Sequence, residues 1–330
     1  MSAEEKPAPV QPEILPPEDE VSLQGLSPAL KATFRRVFAE ENRRKEAGEL
    51  PSPPVVVEKP ATPPVSAKIY QLPLFPREQA GTPDCFLRSA AFAGTDRGCE
   101  YVENAPVKAL AGYDMKFTGK QLTQHHLVVW EALVKLANQH PLGNECMFSI
   151  HEFLKKYLGY KGKIGKTDYE KICLTFIHLS ACNIEIRIAE KKVYGAGPID
   201  AYLRDDETGR AIIRLNPGLI KLFGKGMWST LQWEQRIALK KYPLALWLHG
   251  FYSSHAKPLP YKVATLQELS GSNTKELYRF RQSLKKALHR LMELGVITGW
   301  HIGTGDLVHV ERTPTLSQAR ALIPVLKKSD

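Results

Sequence analysis

Two groups of basic side chains carry the most chemistry in this chain. Lys155, Lys156, Lys161, Lys163, Lys166 and Lys171 form one group, and Lys275, Arg279, Arg281, Lys285, Lys286 and Arg290 form the other. Ammonium and guanidinium groups at this density bind polyanions through phosphate oxygens, and Arg or Lys placed in a major groove also reaches guanine edges. Charge on a helix most often only solvates an exposed face, so the elements that position these groups decide what they do. Of the 330 residues, 45 are Lys or Arg and 35 are Asp or Glu, a formal net charge of +10. The excess is uneven: residues 1–80 hold 10 basic and 12 acidic groups, which leaves 35 against 23 for residues 81–330.

The second basic group falls on a strongly patterned segment. Leu277, Phe280, Leu284, Ala287, Leu291 and Leu294 recur at alternating spacings of three and four, which predicts a helix over 274–294 with one buried stripe and the basic residues largely off it. Asn273 and Glu276 predict a capping box at its start, and Gly295 a left-handed cap at its end. Upstream, a helix over 233–253, a strand over 261–263 and a short helix capped by Thr265 precede a turn at 270–273. Downstream, strands over 296–300 and 307–310 flank a turn at 303–306. Short helix, turn, basic helix and hairpin is the order of a winged helix-turn-helix, whose second helix enters a major groove.

Residues 120–215 predict the same order more loosely. A helix over 124–138 presents Leu127, Trp130, Leu133, Val134 and Ala137 to a core, and a strand over 147–150, a helix over 151–158 and a basic turn over 159–166 follow. Thr167 and Glu170 predict the capping box of the next helix, whose stripe is Tyr169, Ile172, Cys173, Phe176 and Leu179. Asn183 is expected to take its left-handed cap, and Ile184, Ile186 and Ile188 alternate along a strand expected to pair with 212–215. The fold class is therefore α+β: two tandem winged helix-turn-helix domains, residues 85–226 and 227–316, after a largely disordered Pro-rich tail over 1–84, with a short C-terminal tail over 317–330.

Fourteen of the 24 prolines fall in residues 1–80, among few large apolar residues, which reads as disordered and partly polyproline II chain. One helix is predicted inside it over 28–47, where Leu30, Phe34, Val37 and Phe38 share a stripe between Ser27 and Gly48. A second apolar island is Gln71-Leu72-Pro73-Leu74-Phe75, either an edge strand of the following domain or anchors for another protein's pocket. It resembles the clamp-binding pentapeptide of bacterial replication proteins, in which Gln takes a hydrogen-bonding subsite and Leu and Phe fill an apolar cleft. The resemblance assigns Gln71, Leu72, Leu74 and Phe75 to a sliding clamp, with Pro73 at the tolerant position.

Other chemistries are not indicated. No stretch approaches the roughly 20 apolar residues of a membrane span, and the N-terminus lacks a signal-peptide pattern, so a cytoplasmic protein without membrane contact is expected. Five cysteines without a C-x-x-C pair predict reduced thiols and no zinc site. Residues 159–167 end in Gly-Lys-Thr, but a phosphate loop needs glycine where Tyr160 stands. The ten histidines form no metal motif, and His125 and His126 are adjacent on a helix. No catalytic residue, metal or cofactor is expected, and the protein reads as a binder instead of an enzyme. Duplex DNA is favoured over RNA because no RNP-type aromatic run or KH-type clamp is present.

The two winged-helix patterns, their basic faces and the pentapeptide together resemble a TrfA-type plasmid replication initiator, over roughly residues 85–325. The segments around Lys166–Ile188 and Leu266–Trp300 carry most of the likeness. The resemblance implies binding to directly repeated origin DNA (iterons) as a monomer, a homodimer off DNA, opening of adjacent AT-rich duplex with its single strands as a further ligand, and recruitment of the sliding clamp, replicative helicase and host initiator. Phosphate contacts then fall to Lys161, Lys163, Lys166 and Lys171, and base readout to Asn273, Lys275, Arg279 and Gln282, with Lys286 on the same helix. Relatives that make a shorter form use an internal start, yet the first methionine after Met1 is Met115. A winged-helix transcriptional repressor or autoregulator is the main alternative, and a helper that tethers the clamp or helicase to DNA a third.

Overall fold

The computed structural model describes residues 72–96, 100–139, 145–189, 192–224 and 226–315, with isolated positions at 43, 318 and 319. The tail helix expected over 28–47 lies outside the described residues apart from Arg43, as do Gln71, Cys99 and most of 317–330.

Folded chain begins before the expected boundary at 85. Leu72 is buried, and β1 (Gln79–Pro83) leads into the single turn α1 (Asp84–Leu87). Two short parallel strands, β2 (Phe92–Ala93) and β5 (Leu122–Thr123), bracket the antiparallel pair β3 (Tyr101–Pro106) and β4 (Asp114–Lys120). Helix α2 (Gln124–Ala137) follows and is buried almost all round, as an apolar repeat without a polar face requires. Its start is held by His126, whose Nδ1 accepts the Thr123 amide at 3.1 Å.

β6 (Glu145–Ser149) leads into α3 (Ile150–Glu152), which widens into a π-type turn over Phe153–Tyr157. After the basic turn comes α4 (Lys166–Ser180). Its cap differs from expectation: Asp168 Oδ2 accepts the Gly165 amide at 3.0 Å, while Glu170 instead reaches Lys166 Nζ at 3.9 Å. The helix ends at Ala181 with φ −91°, so Asn183 supplies no left-handed cap.

The strand β7 (Asn183–Ala189) forms as expected but with other partners. It lies between β4 and β8 (Lys192–Ala196), so the four-stranded order is β3-β4-β7-β8. The segment 212–215, expected beside it, belongs to β10 (Arg210–Leu215), which pairs with β6 and β9 (Ile199–Asp205) in a separate three-stranded sheet. Alternation fixes which faces of a strand are buried but not its neighbour.

After α5 (Pro217–Ile220), β11 (Trp228–Gln232) pairs with β1 in register Gly81–Thr230. The helix expected over 233–253 is two: α6 (Trp233–Leu239) and α7 (Pro243–Ser253). Pro243 lacks an amide hydrogen and sits where a helix begins, so the chain breaks before it. β12 (Tyr261–Lys262), α8 (Val263–Leu269), α9 (Leu277–Glu293) and the hairpin β13 (Gly299–Ile302) and β14 (Leu307–Glu311) complete the body, the last sheet running β12-β14-β13.

α9 buries Phe280, Leu284, Ala287, Leu288 and Leu291, close to the predicted stripe. Gly295 has φ 66° after it, and the Val296 amide donates to Leu291 O at 2.9 Å, closing a Schellman end. The start differs: the residue before the helix is Glu276, and Asn273 and Lys275 lie in an extended loop.

Residues Ile69–Asp330 make one compact unit, so one interior runs across the expected boundary at 226. Within it lies a buried ion pair. Arg236 of α6 donates from Nε to Glu131 Oε2 at 2.9 Å and from Nη2 to Oε1 at 3.1 Å, and Thr82 of β1 donates to the same carboxylate at 2.9 Å. Both side chains are fully shielded from water. Removing one partner would strand a buried charge, so this cluster locks α2, β1 and α6 together.

Candidate nucleic-acid interface

α9 presents its cations outward. Arg279, Gln282, Lys285 and Lys286 are exposed, as are Asn273 and Lys275 in the preceding loop. The side chains of Lys275, Gln282, Lys285 and Lys286 make no hydrogen bond or ion pair with any described residue and are free for a ligand. Arg279 is held in place: its Nε donates to Tyr278 Oη at 2.8 Å and lies 3.6 Å from Glu276. The other arginines are occupied. Arg281 bonds Asp306 in the turn between β13 and β14, and Arg290 lies 3.5 Å over the Tyr242 ring. The Arg281–Asp306 pair fastens the hairpin to the helix, so both offer one surface to a ligand.

A groove of about 570 Å³ opens at the start of α9, with Asn273, Lys275 and Arg279 in its wall beside Asp96 and Glu276. The carboxylates limit how much anion the groove itself can hold and leave the outer face of the helix as the basic surface.

The first basic group is arranged differently. Lys161 and Lys163 lie exposed in the turn between α3 and α4, Lys166 opens α4 with its side chain 91% exposed, and Lys171 is exposed one turn on. α4 itself carries two basic and two acidic residues, and its outer face shows Leu174 and Ile177, 48% and 41% exposed. The excess positive charge of this half is thus on the turn and on the π-type turn Phe153–Tyr157, beside a helix whose own charges balance.

Next to that turn is a cleft of about 1110 Å³ that combines Lys156, Lys161, Lys240 and Lys241 with Tyr157, Tyr160 and Trp233. Lys240 and Lys241 were absent from the sequence-based site because their segment reads as the middle of one long helix. Lys240 Nζ donates to Leu158 O at 2.7 Å and lies 4.6 Å from the Tyr160 ring centre. Burial lowers its pKa, and neighbouring Lys241 and Lys161 lower it further. Lys240 therefore anchors the basic turn to α6, while Lys161 and Lys241 remain exposed.

Below α4, His126 Nε2 and His178 Nδ1 are 3.0 Å apart. With Nδ1 accepting from Thr123, the neutral ring of His126 carries its proton on Nε2 and donates it to His178. Burial first, then His125 and His178, lowers the His126 pKa to about 3. The four described cysteines are buried and free, and burial pushes the thiols of Cys85, Cys146 and Cys182 up to about 12, which makes them poor nucleophiles. Among the described residues no three His, Cys, Asp or Glu side chains group as metal ligands, and no helix is long and apolar enough to cross a membrane.

The pentapeptide is only partly accessible. Leu74 is 80% exposed, but Leu72 is 4% exposed and Phe75 is half-buried with its ring centre 6.5 Å from that of Trp228. The open, disordered setting expected for these residues is therefore corrected for 72–75: they lie along the body.

Geometry thus defines a mixed helix-and-strand protein that holds a basic helix and hairpin on one surface and a basic turn and cleft on another. The chain belongs to the TrfA protein family, whose model matches residues 65–312. It is 23% identical over 253 residues to the plasmid replication initiator protein TrfA of Escherichia coli, a match over 74% of this chain and 64% of that relative's length. Among solved structures, domains 2 and 3 of RctB align over 70% of this chain with a TM-score of 0.49 and 14% identity, covering 98% of that chain. The Pi initiator protein in complex with iteron DNA aligns over 56% of this chain and 91% of its own, with a TM-score of 0.42 and 14% identity.

Proposed function

We propose that this protein is a sequence-specific plasmid replication initiator. It binds directly repeated origin DNA through two winged-helix units, opens adjacent AT-rich duplex, and brings the sliding clamp, the replicative helicase and the host initiator to the origin. The monomer is the form active on DNA and a homodimer the form off DNA, and the work is binding, with no catalytic step. Family membership supports the initiator reading. The observation that carries DNA binding is the outer face of α9 and the loop before it, where the side chains of Gln282, Lys285 and Lys286 and of Lys275 are free and Arg281 fastens the neighbouring hairpin. Cations on such a helix suit major-groove edges and phosphates, and the hairpin suits the adjoining backbone.

Footprinting on the DNA that flanks the gene tests the reading. Protection of several same-orientation repeats, with reactivity of nearby AT-rich DNA to a single-strand probe, is the expected result. A lone protected palindrome without opening would point to a repressor or autoregulator instead.

A further inference from the structure

Residues 72–75 present a conflict between motif and fold. The clamp reading needs Leu72, Leu74 and Phe75 together in another protein's cleft, whereas two of the three are already in use. Leu72 shares a void of only about 10 Å³ with Trp130, Val134, Pro198, Leu215, Leu219 and Phe223. Phe75 lies over Gly81 so closely that a Cβ there would sit 2.9 Å from its ring, and it faces Trp228. Leu74 between them points out.

The hold on this segment ends abruptly. From Arg77 onward the backbone is fixed: Lys135 Nζ binds Arg77 O and reaches Gln79 O at 2.6 Å, and the Trp233 amide donates to Glu78 O at 2.8 Å. Over 72–75 a single hydrogen bond is made, from Asn138 Nδ2 to Pro73 O at 2.8 Å. A short strap held by one leucine, one aromatic edge and one hydrogen bond can lift while β1 stays paired.

We propose that residues 72–75 are a latch whose Leu72 and Phe75 alternate between the protein's own interior and the apolar cleft of the sliding clamp. The proposal rests on the clamp assignment made above. Exposed Leu74 makes the first contact, and full engagement requires the strap to leave α2, α5 and Trp228. Lost burial of Leu72 and Phe75 opposes release, and the backbone freedom regained by the strap partly offsets it. The intact chain then binds the clamp about tenfold more weakly than the same residues in a free peptide, because only the released fraction is competent.

The test compares clamp binding by the full-length protein and by a synthetic peptide of residues 69–77. Tighter binding by the peptide, lost in its Leu74→Ala form, is expected. Asn138→Ala, which leaves the motif intact, should bring the full-length protein about fivefold closer to the peptide. Labelling supplies an independent readout: a Leu219→Cys thiol, covered by Leu72, should react faster when clamp is added. Equal affinities of peptide and intact chain, or labelling indifferent to clamp, would overturn the latch while leaving the clamp assignment standing. A peptide that does not bind at all would remove the clamp assignment and the latch with it.

Discussion

The α4 region and the α9 region carry their positive charge in different places. α9 bears five basic residues against one acidic, so the positive charge of this region lies on the helix itself. α4 bears two of each and turns Leu174 and Ile177 outward, while the unbalanced cations of this region sit on the preceding turn and on the π-type turn Phe153–Tyr157. A basic helix with a pinned hairpin favours close contact with a groove. A basic turn beside a neutral helix favours phosphates, which carry no sequence. Under the proposed function, two regions built on a similar order of elements need not read DNA equally, and α9 is the better placed to supply specificity.

The largest effect should come from the pair that joins the regions. Glu131→Gln leaves Arg236 buried without its counter-charge and should cost about 3–5 kcal/mol. Calorimetry should show one transition at lower temperature, and two separated transitions would mean that the regions are independent bodies. Acid should come next. His126 is neutral in the fold and its unfolded form binds a proton below about 6.5. Stability is therefore full above that pH and falls as pH drops toward 3, by about 2 kcal/mol at pH 5. Denaturant titrations at pH 8 and pH 5 check this, and His255, lowered by burial to about 4, adds to it from the other half.

Smaller changes probe the contrast directly. Arg279→Ala should relax discrimination at one base pair by about 1–3 kcal/mol with little effect on random DNA, whereas Lys163→Ala should weaken binding to every sequence and reduce the salt slope by about one unit. Binding isotherms on cognate and random duplexes at several salt concentrations separate the two, and identical behaviour would erase the proposed division of labour. Leu174→Ala should leave thermal stability within about 0.5 kcal/mol, because the side chain is already half in water. A large loss would show that this face is covered in solution.

Much of this was legible from side-chain periodicity. The stripe of α9, its Gly295 end and its outward cations follow from spacing alone, as does the core face of α2. Helix starts were less legible. Asn273 with Glu276 has the form of a capping box, yet the helix starts after Glu276, and the cap of α4 moved to Gly165 and Asp168. The break at 240–242 was signalled by Pro243 but hidden by the apolar run around it, and Lys240 and Lys241 of the cleft were lost with it. Met115, the first methionine after Met1, is buried in β4, inside the four-stranded sheet, so a chain begun there would lack β1, β2 and β3.

What the amino-acid order determined by itself is local: which residues turn inward, where charge accumulates, and that residues 71–75 have the makings of a protein-binding motif. Spacing along one chain suffices for these, since helix and strand repeat over a few residues. Tertiary structure alone decided which strands are neighbours, that Arg236 meets Glu131, that Lys240 closes the basic turn on α6, and that Leu72 is buried. Each depends on contacts between segments distant in sequence, where loop paths and the competition for buried surface select one pairing among many that the local pattern permits.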